Sequence, residues 1–219
     1  SIVLNKRQSF SEYDGYIIVF MSCVSSSGCR GSDASPPSAG CWSSRGEPRL
    51  IKPDAVVSCR FEIQLNDTEC PRAVKNFKSL CEGTVDKHGK DLHYQNTMFH
   101  RFVKDFCLQG GDINGKGGDS IYSGFFKDEK GGLKRKHDHV GVVSMANSGP
   151  HTNRSQFFFT LSKDGCQSCD GKHVVVGRVV NDEALRFLME NVNETLQAGD
   201  GEVPTTDVFI SSCGIAHCK

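Results

Sequence analysis

From Met98 onward the sequence is cut into short apolar pieces separated by glycine-rich turns, and this spacing constrains the fold more than any other feature of the chain. Phe99–Val103, Phe106–Gln109, Val140–Met145, Phe157–Leu161 and Val174–Val180 are each of strand length and rich in β-branched or aromatic residues. Upstream, Val57, Cys59, Phe61, Ile63 and Leu65 alternate with Ser58, Arg60, Glu62 and Gln64, a period of two with one face in and one out. Tyr16–Val24 reads as a first strand and Val208–Ser211 as the last. With many strands and no strand–helix–strand alternation, the pattern predicts a mainly β protein, an antiparallel barrel with helical lids.

Two segments carry helical periodicity. In the first, Thr68 can cap the start and Pro71 suits the first turn. Val74, Phe77, Leu80 and Cys81 then fall on one face before Gly83. In the second, Asp182–Val192, Asp182 is the expected cap, and Ala184, Leu185, Leu188, Met189 and Val192 point inward.

A chain of 219 residues is long enough for one domain with its own core. Residues 1–15 read as a polar extension and 16–219 as the domain. A Ser-, Gly- and Pro-rich insertion at about 25–48 has Cys41 and Trp42 as its only evident anchors. Lys and Arg number 26, as do Asp and Glu, so net charge offers no case for nucleic acid or an anionic membrane. The basic run Lys134-Arg135-Lys136-His137 reads as a solvated loop. The longest apolar run, Tyr16–Met21, is far short of the ~20 residues of a membrane span. Eleven cysteines, an odd number without framework spacing, point to reduced thiols and a cytoplasmic setting, with nuclear or organellar residence open. The chain opens on Ser1 rather than Met, which leaves room for a targeting segment upstream.

Three segments concentrate the chemistry. They are Phe99–Asp112, with Arg101, Phe106 and Gln109; Ser144–Phe158, with Met145, Ala146 and Asn147; and Asp170–Gly177, with His173. Arg101 and Gln109 share strand parity, and Phe106 joins them only if the chain breaks around Lys104-Asp105. No Ser-His-Asp ordering, paired carboxylates or phosphate loop is evident, and Gly110-Gly111 and Gly117-Gly118 match neither nucleotide fingerprint. Taken alone, Arg101 reads as a surface ion-pair residue, and Phe106, Met145 and Phe158 read as core.

The three segments resemble the signature blocks of the cyclophilin family: F-H-R-x4-F-x2-Q-G-G-D, S-M-A-N-x-G-P-x-T-N-x-S-Q-F-F and D-G-K-H-V-V-x-G. With Phe61-Glu62-Ile63 and the first helix, the similarity covers about residues 55–213, with Tyr16–Val24 as the first strand. The resemblance implies a closed eight-stranded antiparallel β-barrel capped by two α-helices. It also implies peptidyl-prolyl cis-trans isomerase activity, assisting protein folding, with Arg101 as catalytic electrophile. Phe106, Met145 and Phe158 are then expected to floor and wall the proline pocket, with His173 at its rim. Gln109 and the Asn147 backbone are expected to hold the peptide, with Ala146 lining the path. The partners implied are proline-containing peptides or proteins. No cofactor, metal, nucleic acid or membrane is called for, and the chain is expected to act as a monomer.

Departures from the family pattern sharpen this reading. Where most cyclophilins carry Trp and Leu before the Asp-Gly-Lys-His block, this chain reads Gly165-Cys166-Gln167-Ser168-Cys169-Asp170. That loop is about two residues longer, with Ser168 and Cys169 at the Trp and Leu positions. The pocket is expected to lose apolar wall, and cyclosporin is expected to bind weakly. Cys166-x2-Cys169 is also a chelate or disulfide spacing, for which His173, Cys213, His217 and Cys218 are the other candidate zinc ligands. Residues 81–93 resemble the longer loop of a divergent cyclophilin subgroup, in which cysteines at the Cys81 and Cys213 positions pair on oxidation. Lys127 replaces an acidic residue associated with that loop. A low-turnover proline-peptide binding module and a redox-sensitive scaffold are the alternative functions.

Overall fold

The computed structural model describes residues 16–24 and 56–216; residues 1–15, 25–55 and 217–219, which include the extension and the insertion, lie outside the described residues. Strands β1 (Tyr16–Val24) and β2 (Val56–Leu65) form a long antiparallel pair. Ile17, Val19 and Met21 of β1 face Cys59, Phe61 and Ile63 of β2, and all are buried. Val57, at the outer end of β2, is exposed.

Helix α1 (Pro71–Glu82) follows, with Val74, Phe77, Leu80 and Cys81 on its buried face. Its cap differs from the sequence expectation. Thr68 does not cap it; the Glu129 carboxylate does, accepting from the Arg72 N–H at 3.1 Å and the Ala73 N–H at 2.8 Å. A remote acid thus satisfies two of the orphan donors of the first turn. Gly83, with φ 83°, ends the helix. The short hairpin of β3 (Thr84–Val85) and β4 (Asp91–Leu92) turns around Asp86, whose Oδ1 accepts from the N–H groups of His88 and Lys90.

The remaining strands are β5 (Arg101–Val103), β6 (Cys107–Gly110), β7 (Val142–Met145), β8 (Phe157–Thr160), β9 (Val175–Val179) and β10 (Val208–Ala216). One eight-stranded antiparallel sheet runs in the order β10-β1-β2-β9-β7-β8-β6-β5. It is a curled sheet rather than the closed barrel expected. Its end strands β10 and β5 are not paired with each other; residues 96–99, just before β5, run beside β10 instead. Met98 bridges Phe209 there, and the Phe99 N–H donates to the Val208 carbonyl at 2.8 Å.

Inside the sheet an aromatic cluster fills the core: Phe61, Phe77, Tyr94, Phe99, Phe157 and Phe159, with centroids 5.0–6.0 Å apart. The second long helix begins as α3 (Asp182–Arg186) and continues as a π-helical turn over Phe187–Asn193. Asn181, not Asp182, stands at its cap position, and its side chain joins the Arg60 carbonyl and the Glu62 N–H of β2. Between the two large helices lies a five-residue helix α2 (Lys130–Lys134) that the sequence conceals behind two glycines. Gly132 is there because Val174 and Cys70 crowd the position a β-carbon would take. Among the described residues, no helix is long and apolar enough to cross a membrane.

Candidate active site

In register, Arg101 pairs with Gln109, Gln109 with Phe158, and Phe158 with Ser144, across β5, β6, β8 and β7. Directly paired residues point to the same face of a sheet, so these side chains form one row on the outer face. The neighbouring row, Phe102, Leu108, Phe159 and Val143, faces the core and is buried. Phe106 reaches the outer face because the chain breaks where the parity requires it. Asp105 takes φ 55°, and its backbone N–H and carboxylate are both held by the Asn193 side chain, at 2.8 and 2.7 Å.

A small apolar cluster separate from the main core lies on this face. Cys107, Phe158, Cys166 and Cys169 are its buried members, with Val103, Phe106 and Ala146 packed against them. Arg101 stands at its edge. Arg101 Nη1 donates to Gln109 Oε1 at 3.4 Å and approaches Cys107 Sγ at 3.9 Å, while Nε donates to Glu202 Oε2 at 2.5 Å. The Glu202 hydrogen bond holds Arg101 above its already high value, so the guanidinium is a permanent cation. Gln109 is braced on its other side by Gln156 Oε1 at 2.8 Å.

His173 closes the rim. Its ring meets Phe158 edge-on at 5.3 Å, and Nδ1 lies 3.0 Å from the Met145 carbonyl. That partner accepts only, so the proton sits on Nδ1. Burial lowers the His173 pKa, which keeps the ring neutral. Asn147 ties two site loops together, its Nδ2 donating to the Lys172 carbonyl at 2.8 Å.

Met145 does not line the pocket as expected. It sits one position off the Ser144 row, is fully buried in the main core and faces Phe157. Only its carbonyl reaches the site. Its expected place in the wall is filled by Cys107, which shares the parity of Arg101 and Gln109; alternation along β6 was the signal that could have found it. Cys166 was likewise singled out only for its spacing, yet it packs into the pocket beside Cys169, with its thiol donating to the Phe106 carbonyl at 3.2 Å. Ser168, at the family's Trp position, is exposed. Burial pushes Cys107 up to about 12 and raises Cys166 and Cys169 as well, so all three are neutral thiols acting as small apolar groups.

In the basic run behind this wall Lys134, Arg135 and Lys136 are exposed, as the solvated-loop reading expects, and only His137 is buried. Arg135 forks onto Glu69, and Lys136 pairs with Asp170 at 3.1 Å. His137 is fully buried, lies between Asp170 and Ser144, and stacks on Phe158 at 5.9 Å. Nothing in the sequence around His137 marks it; its place between Asp170, Ser144 and the Phe158 ring gives it its role. Among the described residues, no three His, Cys, Asp or Glu side chains are placed to hold a metal ion. His217 and Cys218 lie outside the described residues. Far from the pocket, the Cys213 thiol donates to the Cys81 carbonyl at 3.3 Å, bringing that pair of cysteines together.

Comparison with known proteins agrees with this geometry. The family model for cyclophilin type peptidyl-prolyl cis-trans isomerases matches residues 55–215. The chain is similar to peptidyl-prolyl cis-trans isomerase 9 of Caenorhabditis elegans, at 42% identity over 170 residues, covering 75% of this chain and 52% of that protein. It is similar to the NK-tumor recognition proteins of Mus musculus and Homo sapiens, at 43% identity over 166 residues, covering 73% of this chain and 11% of theirs. The chain therefore spans about half the length of the first relative and a small part of the other two. A crystal structure of a Cryptosporidium parvum cyclophilin type peptidyl-prolyl cis-trans isomerase aligns with a TM-score of 0.63 and 26% identity, covering 94% of this chain and 100% of that one. Fold, motif order and site row converge, and the chain belongs to the cyclophilin-type peptidyl-prolyl cis-trans isomerase family.

Proposed function

We propose that this domain catalyses rotation about X-Pro peptide bonds, with Arg101 as the electrophile. The observation that carries the reading is the row Arg101–Gln109–Phe158, which sets a fixed cation against an apolar floor. Prolyl amide rotation faces a barrier of ~18–20 kcal/mol because the C–N bond has partial double-bond character. At the twisted transition state conjugation is lost, and the prolyl nitrogen becomes a hydrogen-bond acceptor. A guanidinium aimed at that nitrogen stabilises the twisted state more than the planar one, which is the requirement for catalysis. Phe106, Phe158, Ala146 and the three thiols take the ring and exclude water; Gln109, Asn147 and neutral His173 line the peptide path. No bond is made or broken and no proton moves.

The test is a prolyl isomerase assay on the wild type and on Arg101→Ala. The variant is expected to lose ~100-fold or more in kcat/KM. Equal and negligible turnover by both proteins would instead mark a proline-peptide binding module.

A second reading, regulation by oxidation, is favoured by the contact between Cys213 and Cys81. A small-molecule disulfide would take the two electrons: both thiols lose their protons, a Cys81–Cys213 bond forms, and the reagent leaves as two thiols. Burial raises the Cys81 thiol well above its usual value, so exchange would be slow and start at the more accessible Cys213. The span from Cys166 to Cys169 also suits a disulfide. The Cys169 N–H donates to the Cys166 carbonyl at 2.9 Å, a turn that keeps the two α-carbons within ~7 Å. Mass spectrometry after mild oxidation is expected to find the Cys81–Cys213 bond; recovery of both cysteines as thiols would dismiss it.

A further inference from the structure

Arg101 has a partner that the isomerase reading does not use. Glu202 ends a short turn, Asp200–Glu202, in the connection between the second long helix and β10. Its carboxylate reaches back to Arg101 Nε at 2.5 Å. The turn is unusual, because Gly201 and Glu202 are consecutive left-handed residues, at φ 69° and φ 62°. Glycine is the unstrained residue in that region, and a residue with a β-carbon held there is under strain.

Stability does not explain the arrangement. The two side chains are 38% and 49% exposed, and an ion pair so open to water contributes little to folding. What the contact does fix is the plane of the guanidinium. Without it, Arg101 would rest on two long contacts, to Gln109 and Cys107, both through Nη1. With it, the rigid fork is held along two edges. Nη2 makes no hydrogen bond to any described residue, so it remains available to a ligand. The carboxylate also offsets part of the cation's charge. In this exposed setting water screens that loss, whereas the direction imposed by the hydrogen bond persists.

We propose that Glu202 is a positioning residue for the isomerisation: it locks the guanidinium of Arg101 in the orientation that meets the twisted prolyl bond. This rests on Arg101 being the electrophile. The locking removes rotational freedom that would otherwise be lost in reaching the transition state, so it acts on kcat rather than on KM.

The experiment compares kcat, KM and Tm for the wild type, Arg101→Ala, Glu202→Gln, Glu202→Ala and Glu202→Gly on one proline-containing peptide. Glu202→Ala is expected to lower kcat ~5–10-fold with KM within about twofold. Glu202→Gln keeps an oxygen that accepts from Nε and is expected to stay within about twofold of the wild type. Glu202→Gly is expected to raise Tm by relaxing the turn while lowering kcat as far as the Ala variant does. A purely structural residue could not produce that opposition. Wild-type kcat in the Ala and Gly variants would overturn the proposal, as would faster turnover in Gln and Ala alike, which would mark a damping charge. A Gly variant that loses both Tm and kcat would also overturn it. A wild-type rate in Arg101→Ala would be a distinct result, removing the electrophile itself.

Discussion

Asp170 Oδ1 accepts two hydrogen bonds from the same residue, His137: from its backbone N–H at 2.9 Å and from Nδ1 at 3.0 Å. Asp170 directly follows Cys169 of the pocket wall, and the His137 ring stacks on Phe158 of the floor. The imidazole is therefore the brace between wall and floor. Its Nε2 accepts from the Ser144 hydroxyl at 3.0 Å, so the neutral ring is fully satisfied.

Acid should loosen this brace well before carboxylates titrate. Burial lowers the His137 pKa despite the neighbouring carboxylate, and burial lowers those of His100 and His173 too. An unfolded histidine titrates near ~6.5, so below that pH the unfolded chain binds more protons and stability falls. Burial pushes Asp170 up, but hydrogen bonds from His137 and Lys136 outweigh it and bring it to about 2. Its contribution is present above ~3.9 and is lost only as pH falls through about 2. Tm is expected to decline between about pH 7 and pH 5, with a shallower decline in His137→Gln. A flat profile across that window would contradict the assignment.

Glu129→Ala should cost stability without touching catalysis. It removes the carboxylate that serves the Arg72 and Ala73 N–H groups at the start of α1. The expected loss is about 1–2 kcal/mol in urea unfolding, with kcat/KM unchanged.

Gly165→Ala should damage both. Gly165 has φ 81°, and a β-carbon there would overlap the His137 carbonyl, which accepts from the Cys166 N–H at 2.6 Å. Displacing that carbonyl moves His137 and the Cys166–Cys169 wall together. A loss of at least about 2 kcal/mol and a raised KM are expected, read by denaturant unfolding and steady-state kinetics.

Cyclosporin is expected to inhibit weakly. The residue at the family's Trp position, Ser168, is exposed, and the adjoining wall is made of the small side chains Cys166 and Cys169. An inhibition constant in the nanomolar range would refute this; micromolar or weaker is expected, because an absent indole removes a large apolar contact.

Much of this site can be read from parity and spacing. Arg101 and Gln109 share a face because their separation is even. The break at Lys104-Asp105 follows from the need to bring Phe106 to that face. Parity does not carry across the loops to β7: the register that sets Ser144 opposite Phe158 puts Ser144 outside and Met145 inside, and the sequence does not show that pairing. What no local rule supplies is tertiary: Glu129 capping a helix more than fifty residues upstream, Asn193 holding Asp105, and Glu202 reaching Arg101. Helix α2 is hidden for another reason, since Gly131 and Gly132 disfavour helix locally and are tolerated because the neighbouring chain leaves no room for a side chain.

The paired row from Arg101 to Ser144 is supported differently from the rim around it. Arg101, Gln109 and Phe158 hang from the inter-strand ladder, so they can come apart only when the sheet itself opens. Cys107 shares that ladder, whereas the Cys166–Cys169 part of the wall hangs from a loop that can open alone. Amide exchange should divide the site accordingly, with β6 and β8 exchanging only through global unfolding and the 165–172 loop through cheaper local openings. Replacements in that loop can therefore reshape the rim without moving the row of Arg101, Gln109 and Phe158.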